Sequence, residues 1–264
     1  MTTNSSGDSS AGDLFIVERL GQVARCTMNR PERMNALEPG MGEIMIAEVT
    51  RLLADDEIRV ILLRGEGGNF STGSDLSLLG DNMDPAYLRD IMIRINAFVA
   101  DLYHAPKPVI TEVDGYALGG GLGLALASDL TVASQRAIFC SGFIRIGAVP
   151  DMGSTWFLVQ RIGLQQAKEM AYSGDMVDGP RALEMGLINR VVPHEELAET
   201  ALEMARRLAR RPAAAMSWTK RCLNRAGNLD LATMLDLEAH VQPLMLLSEE
   251  HKKRIRKLLG EPDK

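Results

Sequence analysis

The sequence predicts an α/β fold that turns all-helical toward its C-terminus. Three observations carry this. Short all-apolar runs such as Val60-Ile61-Leu62-Leu63 suit strands buried on both faces. The chain twice runs strand, glycine-rich loop, helix, with one loop ending at Gly73-Ser74 and the other at Gly119-Gly120. From 195 to 259 the periodicity is helical almost throughout.

Taken in order, residues 1–12, MTTNSSGDSSAG, are small and polar and read as a disordered tail rather than a signal peptide. Residues 14–20 and 23–28 are β-rich runs split by Gly21-Gln22, the spacing of a hairpin. Residues 29–37 form a loop in which Pro31 removes a donor. Residues 38–54 are helical, with Met41, Ile44, Met45, Glu48, Val49, Leu52 and Leu53 placing the apolar residues mostly on one side. The strand at 60–63 runs into a glycine-rich loop, GEGGNFSTGSDL at 65–76, and loops at the carboxyl ends of strands are where α/β folds bind ligands. Residues 77–86 are expected to be mobile, and 87–104 to form a long helix stopped by Pro106-Lys107-Pro108. Val109-Ile110 begins another buried strand, which leads into VDGYALGGGLGLALASD at 113–129. Residues 130–133 and 137–139 are short strands, and 142–153 is a loop with one acid, Asp151. Helices at 154–161 and 164–173, a short helix from Gly179 to near Gly186 and a strand at 188–192 follow. Pro212, Gly227 and Pro243 mark breaks in the last region. The expected division is a tail (1–12), an α/β core (13–195) and a helical oligomerisation region (196–264).

Composition narrows the function classes. At 264 residues and 46% hydrophobic, the chain suits one large domain, with or without an appendage. A formal net charge of −6 gives no electrostatic case for nucleic acid, and the basic run from Arg206 to Arg225 reads as a solvated helical face. Three scattered cysteines and four scattered histidines, with neither Cys-x-x-Cys nor HExxH, predict no disulfide framework and no metal. No apolar run reaches the ~18 residues of a membrane span, so a soluble cytoplasmic protein is expected.

The glycines do not spell a dinucleotide site, because position 126 is Leu126 rather than the third glycine of GxGxxG. No Lys-Ser or Lys-Thr follows them, so they make no P-loop. The stretch is either a tight turn between packed elements or a backbone site for negative charge. One N–H donor from each glycine-rich loop, converging on one oxygen, would make an oxyanion hole.

NRPERMNAL at 29–37, GGNFSTGSDL at 67–76, KPVITEVDGYALGGG at 107–121, LASDLTVAS at 126–134 and GDMVDGPRALEMGLINRVV at 174–192 together resemble the crotonase superfamily, the enoyl-CoA hydratase/isomerase fold. The resemblance covers about residues 13–260. It implies a spiral of ββα units with a C-terminal helical region that makes trimers, often paired into hexamers. It implies an acyl-CoA substrate, with coenzyme A part of that substrate and no separate cofactor. The backbone N–H groups of Ser74 and Gly120 would form the oxyanion hole. The loops holding Arg33 and Ala36, and Phe70, Ser71, Thr72 and Gly73, would bind the adenosine end of CoA. Phe143 and Trp156, with Met83 and Ile91, would line the acyl pocket.

The family's hydratases carry two glutamates, and the matching positions here are Gly123 and Phe143. Neither side chain can transfer a proton. Asp151 remains, at a place resembling that of family isomerases with a single aspartate acid/base. One carboxylate can take a proton from one carbon and return it two carbons away. Burial near Phe143 and Trp156 would raise its pKa. The alternative role for Asp151 is to cap the helix that follows. Family dehalogenases use an aspartate at this place too, but with a histidine where Asn96 stands and a tryptophan where Phe143 stands. The expected reaction is therefore double-bond isomerisation through an enolate. Hydration, then hydrolysis or dehalogenation, or acyl-CoA binding without catalysis, are the alternatives. Asp75 and Asp129 read as structural hydrogen-bonding acids, and Asp114 and Tyr116 as turn and packing residues.

Overall fold

The structure is a computed structural model that describes residues 14–78 and 84–260. The expected tail at 1–12, residues 79–83 of the segment expected to be mobile and, among these, the candidate Met83 lie outside those residues. Strands β1 (Phe15–Leu20) and β2 (Val23–Met28) form the hairpin, with Leu20 opposite Val23. Strands β3 (Val60–Gly65), β4 (Val109–Val113), β5 (Tyr116–Leu118), β6 (Leu130–Ser134), β7 (Ile138–Cys140), β8 (Val177–Asp178) and β9 (Arg190–Val192) complete the set. A six-stranded sheet runs β1-β2-β3-β4-β6-β9, parallel from β2 onward, and a smaller sheet runs β5-β7-β8. The short strands β5 and β8 were not expected; at three and two residues they lack the length that shows a period. Tyr116 thus lies in a strand, not a turn.

The large sheet is covered on both faces, as its apolar strands require. Side chains alternate along a strand. Ile61 and Leu63 therefore pack with Met41, Met45, Val49 and Leu52 of α1 (Pro39–Ala54), in the main core. Val60 and Leu62 point the other way, into a second core with Leu197, Ala201, Leu202 and Ala205. Those residues belong to a helix at His194–Ala209. The first helix of the C-terminal region is thus the sheet's second cover.

Between these lie α2 (Pro85–His104), α3 (Gly120–Leu126), α4 (Ser154–Ser173) and α5 (Gly179–Glu184), and the His194–Ala209 helix is α6. The two helices expected at 154–161 and 164–173 are both present within α4, separated at Gly163, whose φ of 73° and ψ of 164° are not helical. Next come α7 (Ala213–Ala226), α8 (Leu231–Leu247) and α9 (Glu249–Leu259). Pro243 lies inside α8, not at a break. The chain turns at Ser248 instead, where the hydroxyl accepts a bond from His251 N–H to start α9. Among the described residues no helix is long and apolar enough to cross a membrane.

One buried ion pair fastens α7 to the core. Lys220 Nζ donates to Asp129 Oδ2 at 2.8 Å and to the carbonyls of Leu102 (3.1 Å) and Lys107 (3.2 Å). Asp129 also accepts from Val109 N–H at 2.7 Å. Burial pushes the Asp129 carboxyl up and the Lys220 ammonium down from their ordinary ranges, so each charge depends on its partner. Lys220→Met strands a buried carboxylate and should cost about 3–5 kcal/mol in urea denaturation. The double variant with Asp129→Asn should recover part of it; a loss under about 1 kcal/mol in the single variant would show the pair to be dispensable.

Candidate active site

Two loops meet backbone to backbone. The segment 70–74 is zipped on one side to 116–118, with Ser71 N–H to Tyr116 O at 2.8 Å and Leu118 N–H to Ser71 O at 3.0 Å. On the other side Leu37 N–H reaches Gly73 O at 2.7 Å and Asp75 N–H reaches Leu37 O at 2.9 Å. That bridge uses the groups flanking Ser74 and leaves the Ser74 N–H unused. Gly120 is the first residue of α3, so its N–H has no carbonyl one turn earlier in the helix. Among the described residues neither N–H has an acceptor.

The contact between the loops admits no side chain. A Cβ on Gly73 would lie 2.8 Å from Gly120 N and 2.8 Å from Leu118 O, and one on Gly121 would lie 2.3 Å from Ser71 O. All three distances are shorter than a Cβ tolerates. Gly73 also sits at φ +80°, where glycine is favoured.

Asn35 locks the first loop, a role that sequence reading missed. It is fully buried at φ 54° and donates from Nδ2 to Glu66 O (2.9 Å) and Asn69 O (2.7 Å). Its Oδ1 accepts from Arg30 N–H at 2.8 Å. The one available signal was an asparagine in a polar loop, a residue that tolerates left-handed backbone. Asp75 is structural, as expected: the Ser77 hydroxyl and the Arg30 guanidinium hold its carboxyl down to about 2.

The CoA candidates divide. Arg33 is exposed, Thr72 half-buried, and Ala36 and Gly73 buried at the loop contact. Phe70 and Ser71 have no exposed surface, which corrects their expected role as ligand contacts. Phe70 fills the main core, and the Ser71 hydroxyl donates to Asn35 O at 2.8 Å. They shape the loop from within.

Asp151 arrives from the loop before α4. A Cβ on Gly120 would lie 3.9 Å from Asp151 Oδ1, so the carboxylate stands against the start of α3. Phe143, in the 3-10 turn Gly142–Ile146, places its ring tip 3.8 Å from where a Cβ on Gly119 would be. Ser74, Gly73 and Gly120 thus adjoin each other, and Asp151 and Phe143 adjoin the Gly119–Gly120 corner. Trp156 is placed elsewhere: its ring packs edge-on against Tyr103 and Phe157. It lines a cavity of about 490 Å³ beside Lys220 and Asn224 of α7.

Asp151 does not cap α4 with its side chain. Ser154 donates to the Asp151 backbone carbonyl from both N (2.9 Å) and Oγ (2.6 Å). The carboxylate oxygen Oδ1 is buried and, among the described residues, has no hydrogen-bond partner. Burial pushes its pKa up from the ordinary value, opposed in part by its own backbone N–H. At Gly123, a Cβ would lie 2.7 Å from Met152 Cβ and 2.8 Å from Ser154 Oγ. No side chain fits there, so an acid at that position is sterically excluded.

An unpartnered buried carboxylate costs stability when ionised. Because the folded pKa lies above the unfolded one, the cost appears as pH rises through the unfolded and then the folded value. Asp151→Asn should therefore melt higher than wild type at pH 8, with the difference closing below the ordinary carboxylate pKa of about 3.9. A lower melting temperature at pH 8 would show that the charge is compensated.

Known proteins carry the same arrangement of sequence. The enoyl-CoA hydratase/isomerase family profile matches residues 18–259. The chain is 35% identical over 253 residues to the 1,2-epoxyphenylacetyl-CoA isomerase of Escherichia coli K12, covering 94% of this chain and 96% of the relative. It is 32% identical to the short-chain-enoyl-CoA hydratase of Clostridium acetobutylicum, with 90% and 91% covered. Among solved structures, an enoyl-CoA hydratase/isomerase from Cupriavidus metallidurans CH34 superposes with a TM-score of 0.88 at 33% identity over 95% of each chain. An enoyl-CoA hydratase from Bacillus anthracis gives 0.89 at 27% identity, over 94% of this chain and 96% of that one. Fold, loop geometry and sequence agree: the chain belongs to the enoyl-CoA hydratase/isomerase family of the crotonase superfamily.

Proposed function

We propose that this enzyme isomerises the double bond of an acyl-CoA thioester, with Asp151 as the single proton carrier. The observation that carries the reading is Asp151 Oδ1, buried beside Gly120 and without a hydrogen-bond partner among the described residues, with Gly123 closed to a second acid. Asp151 takes a proton from C2 of a 3-enoyl-CoA. The electron pair moves onto the thioester oxygen, which the Ser74 and Gly120 N–H groups hold as an enolate. One such donor is worth about 3–4 kcal/mol to the barrier. The enolate then collapses, the double bond passes from C3–C4 to C2–C3, and Asp151 returns the proton at C4. The reaction is redox-neutral and calls for no cofactor beyond the CoA carried by the substrate. Arg33, Ala36, Thr72 and Gly73 lie on the loops that would hold the adenosine end.

The name of the Escherichia coli relative attaches isomerisation to an epoxide of phenylacetyl-CoA, which puts arylacetyl thioesters and their epoxides in the substrate panel. The Clostridium relative's name keeps hydration as the second reading. Ultraviolet assays of 3-enoyl- and 2-enoyl-CoA panels decide between them. Wild type should convert 3-enoyl substrates, and Asp151→Asn should lose at least about a hundredfold in kcat while still binding acyl-CoA. The acid limb of kcat/KM should fall at a pH above the ordinary carboxylate range, because burial raises the pKa of a base that must be ionised to act. Full activity in Asp151→Asn, or hydration without isomerisation, would reject the reading.

The C-terminal helices support a homotrimer, alone or paired as a hexamer. Leu231, Leu244 and Leu247 of α8 and Leu258 and Leu259 of α9 are each more than 60% exposed in the single chain, which suits burial against other copies. Light scattering after size exclusion should give three or six chains. Leu244→Glu should reduce that number, and a monomeric wild type would reject the assembly. Such an enzyme is expected in the cytoplasm.

A further inference from the structure

We propose that Met152 is a positioning residue: wedged against the glycine face of α3 with its backbone held left-handed, it sets where the Asp151 carboxylate stands over the oxyanion donors. The inference rests on the isomerase reading for its catalytic consequence. Its starting point is that no hydrogen bond orients Asp151 Oδ1 among the described residues. That oxygen is placed by the local backbone and by packing.

Both lead to Met152. Gly120 and Gly123 lie one turn apart on the same face of α3. Cβ atoms there would stand 3.0 Å from Met152 Sδ and 2.7 Å from Met152 Cβ. The methionine side chain therefore occupies the groove left by two missing side chains, and it is only 4% exposed. The same Gly120 position is 3.9 Å from Asp151 Oδ1, so thioether and carboxylate share that face. Met152 has φ +50°, and Gly153 follows at φ +73°. A non-glycine residue there costs about 1 kcal/mol or more and persists only where its surroundings fix it. Ser154 clamps the Asp151 carbonyl from the far side of that turn with two bonds. The turn is thus held at its carbonyl by Ser154 and at its side chain by Met152, and the carboxylate projects from the rigid piece between.

The test uses Met152→Ala, Met152→Gly and Met152→Leu, each assayed for kcat, KM, the acid limb of kcat/KM and thermal melting. Glycine favours the local backbone, so it carries the test if alanine does not fold. Removal of the wedge should lower kcat about tenfold or more with KM within about threefold, since small misplacements of a catalytic group cost that much. The acid limb should move to lower pH as water reaches the carboxylate. Leucine, which restores the volume, should recover kcat to within about threefold of wild type. A lowered melting temperature with wild-type kcat and acid limb would overturn the proposal, leaving Met152 a packing residue only. The Asp151 carboxyl band, isolated as the infrared difference between each form and its Asp151→Asn counterpart, is titrated in parallel. It separates the two ideas: if wild type does not isomerise, the isomerase reading fails, while a band whose titration shifts in the glycine variant still supports positioning, and an unshifted band overturns it.

Discussion

Gly73 and Gly120 touch through their backbones, and the site depends on that contact. Its closeness brings two amides from distant parts of the chain to one place, where neither has an acceptor among the described residues. The contact is held by the ladder of bonds from Leu37 through Ser74 to Tyr116 and Leu118, and by Asn35, which ties the neighbouring loop down from below. The rest of the architecture supplies rigidity to it. The large sheet aims β3 and β4 at the two loops, α1 and α6 cover its faces, and the Lys220–Asp129 pair docks the C-terminal helices beside β4. Donors fixed by folding need no reorganisation when charge develops on an oxygen, which is the physical source of their catalytic worth.

What an enzyme with such donors can do is decided by the proton-transferring groups around them. Here the surroundings are apolar. Phe143 covers the Gly119 corner, Met152 and Ser154 fill the space over Gly123, and the Asp151 carboxylate stands against Gly120. Two acids are suited to splitting water between the ends of a double bond; one acid is suited to moving a proton along it. The family contains proteins named for both outcomes, so membership alone leaves the choice open. Gly123 is informative because it is closed as well as empty. Restoring an acid there would mean moving the turn that holds Asp151.

Much of this was legible in the sequence. The hairpin at Gly21-Gln22, the all-apolar β3, the two glycine-rich loops and the lone Asp151 all follow from patterns within a few residues. What was not legible depends on distant partners. Strands β5 and β8 are too short to show a period and exist through pairing with β7. Helix α6 looks like the start of an appendage, yet β3 is apolar on both faces and needs it as a cover. Phe70 and Ser71 look like ligand contacts because they sit in a glycine-rich loop, but the loop turns them inward. Trp156 follows Asp151 closely in sequence, and α4 delivers it to Tyr103 instead. Asn35 needs its two acceptor carbonyls in view before its role shows.

The central claim is that one oxygen sits between two backbone donors while one carboxylate reaches both carbons that exchange the proton. A crystal structure of the Asp151→Asn enzyme with a 3-enoyl-CoA bound tests it most directly. The account predicts the thioester oxygen about 3 Å from both Ser74 N and Gly120 N, with the residue 151 side chain facing C2 and C4 from one side of the acyl plane. A thioester oxygen held away from either amide, or an acyl chain whose C2 and C4 both lie beyond reach of residue 151, would contradict it.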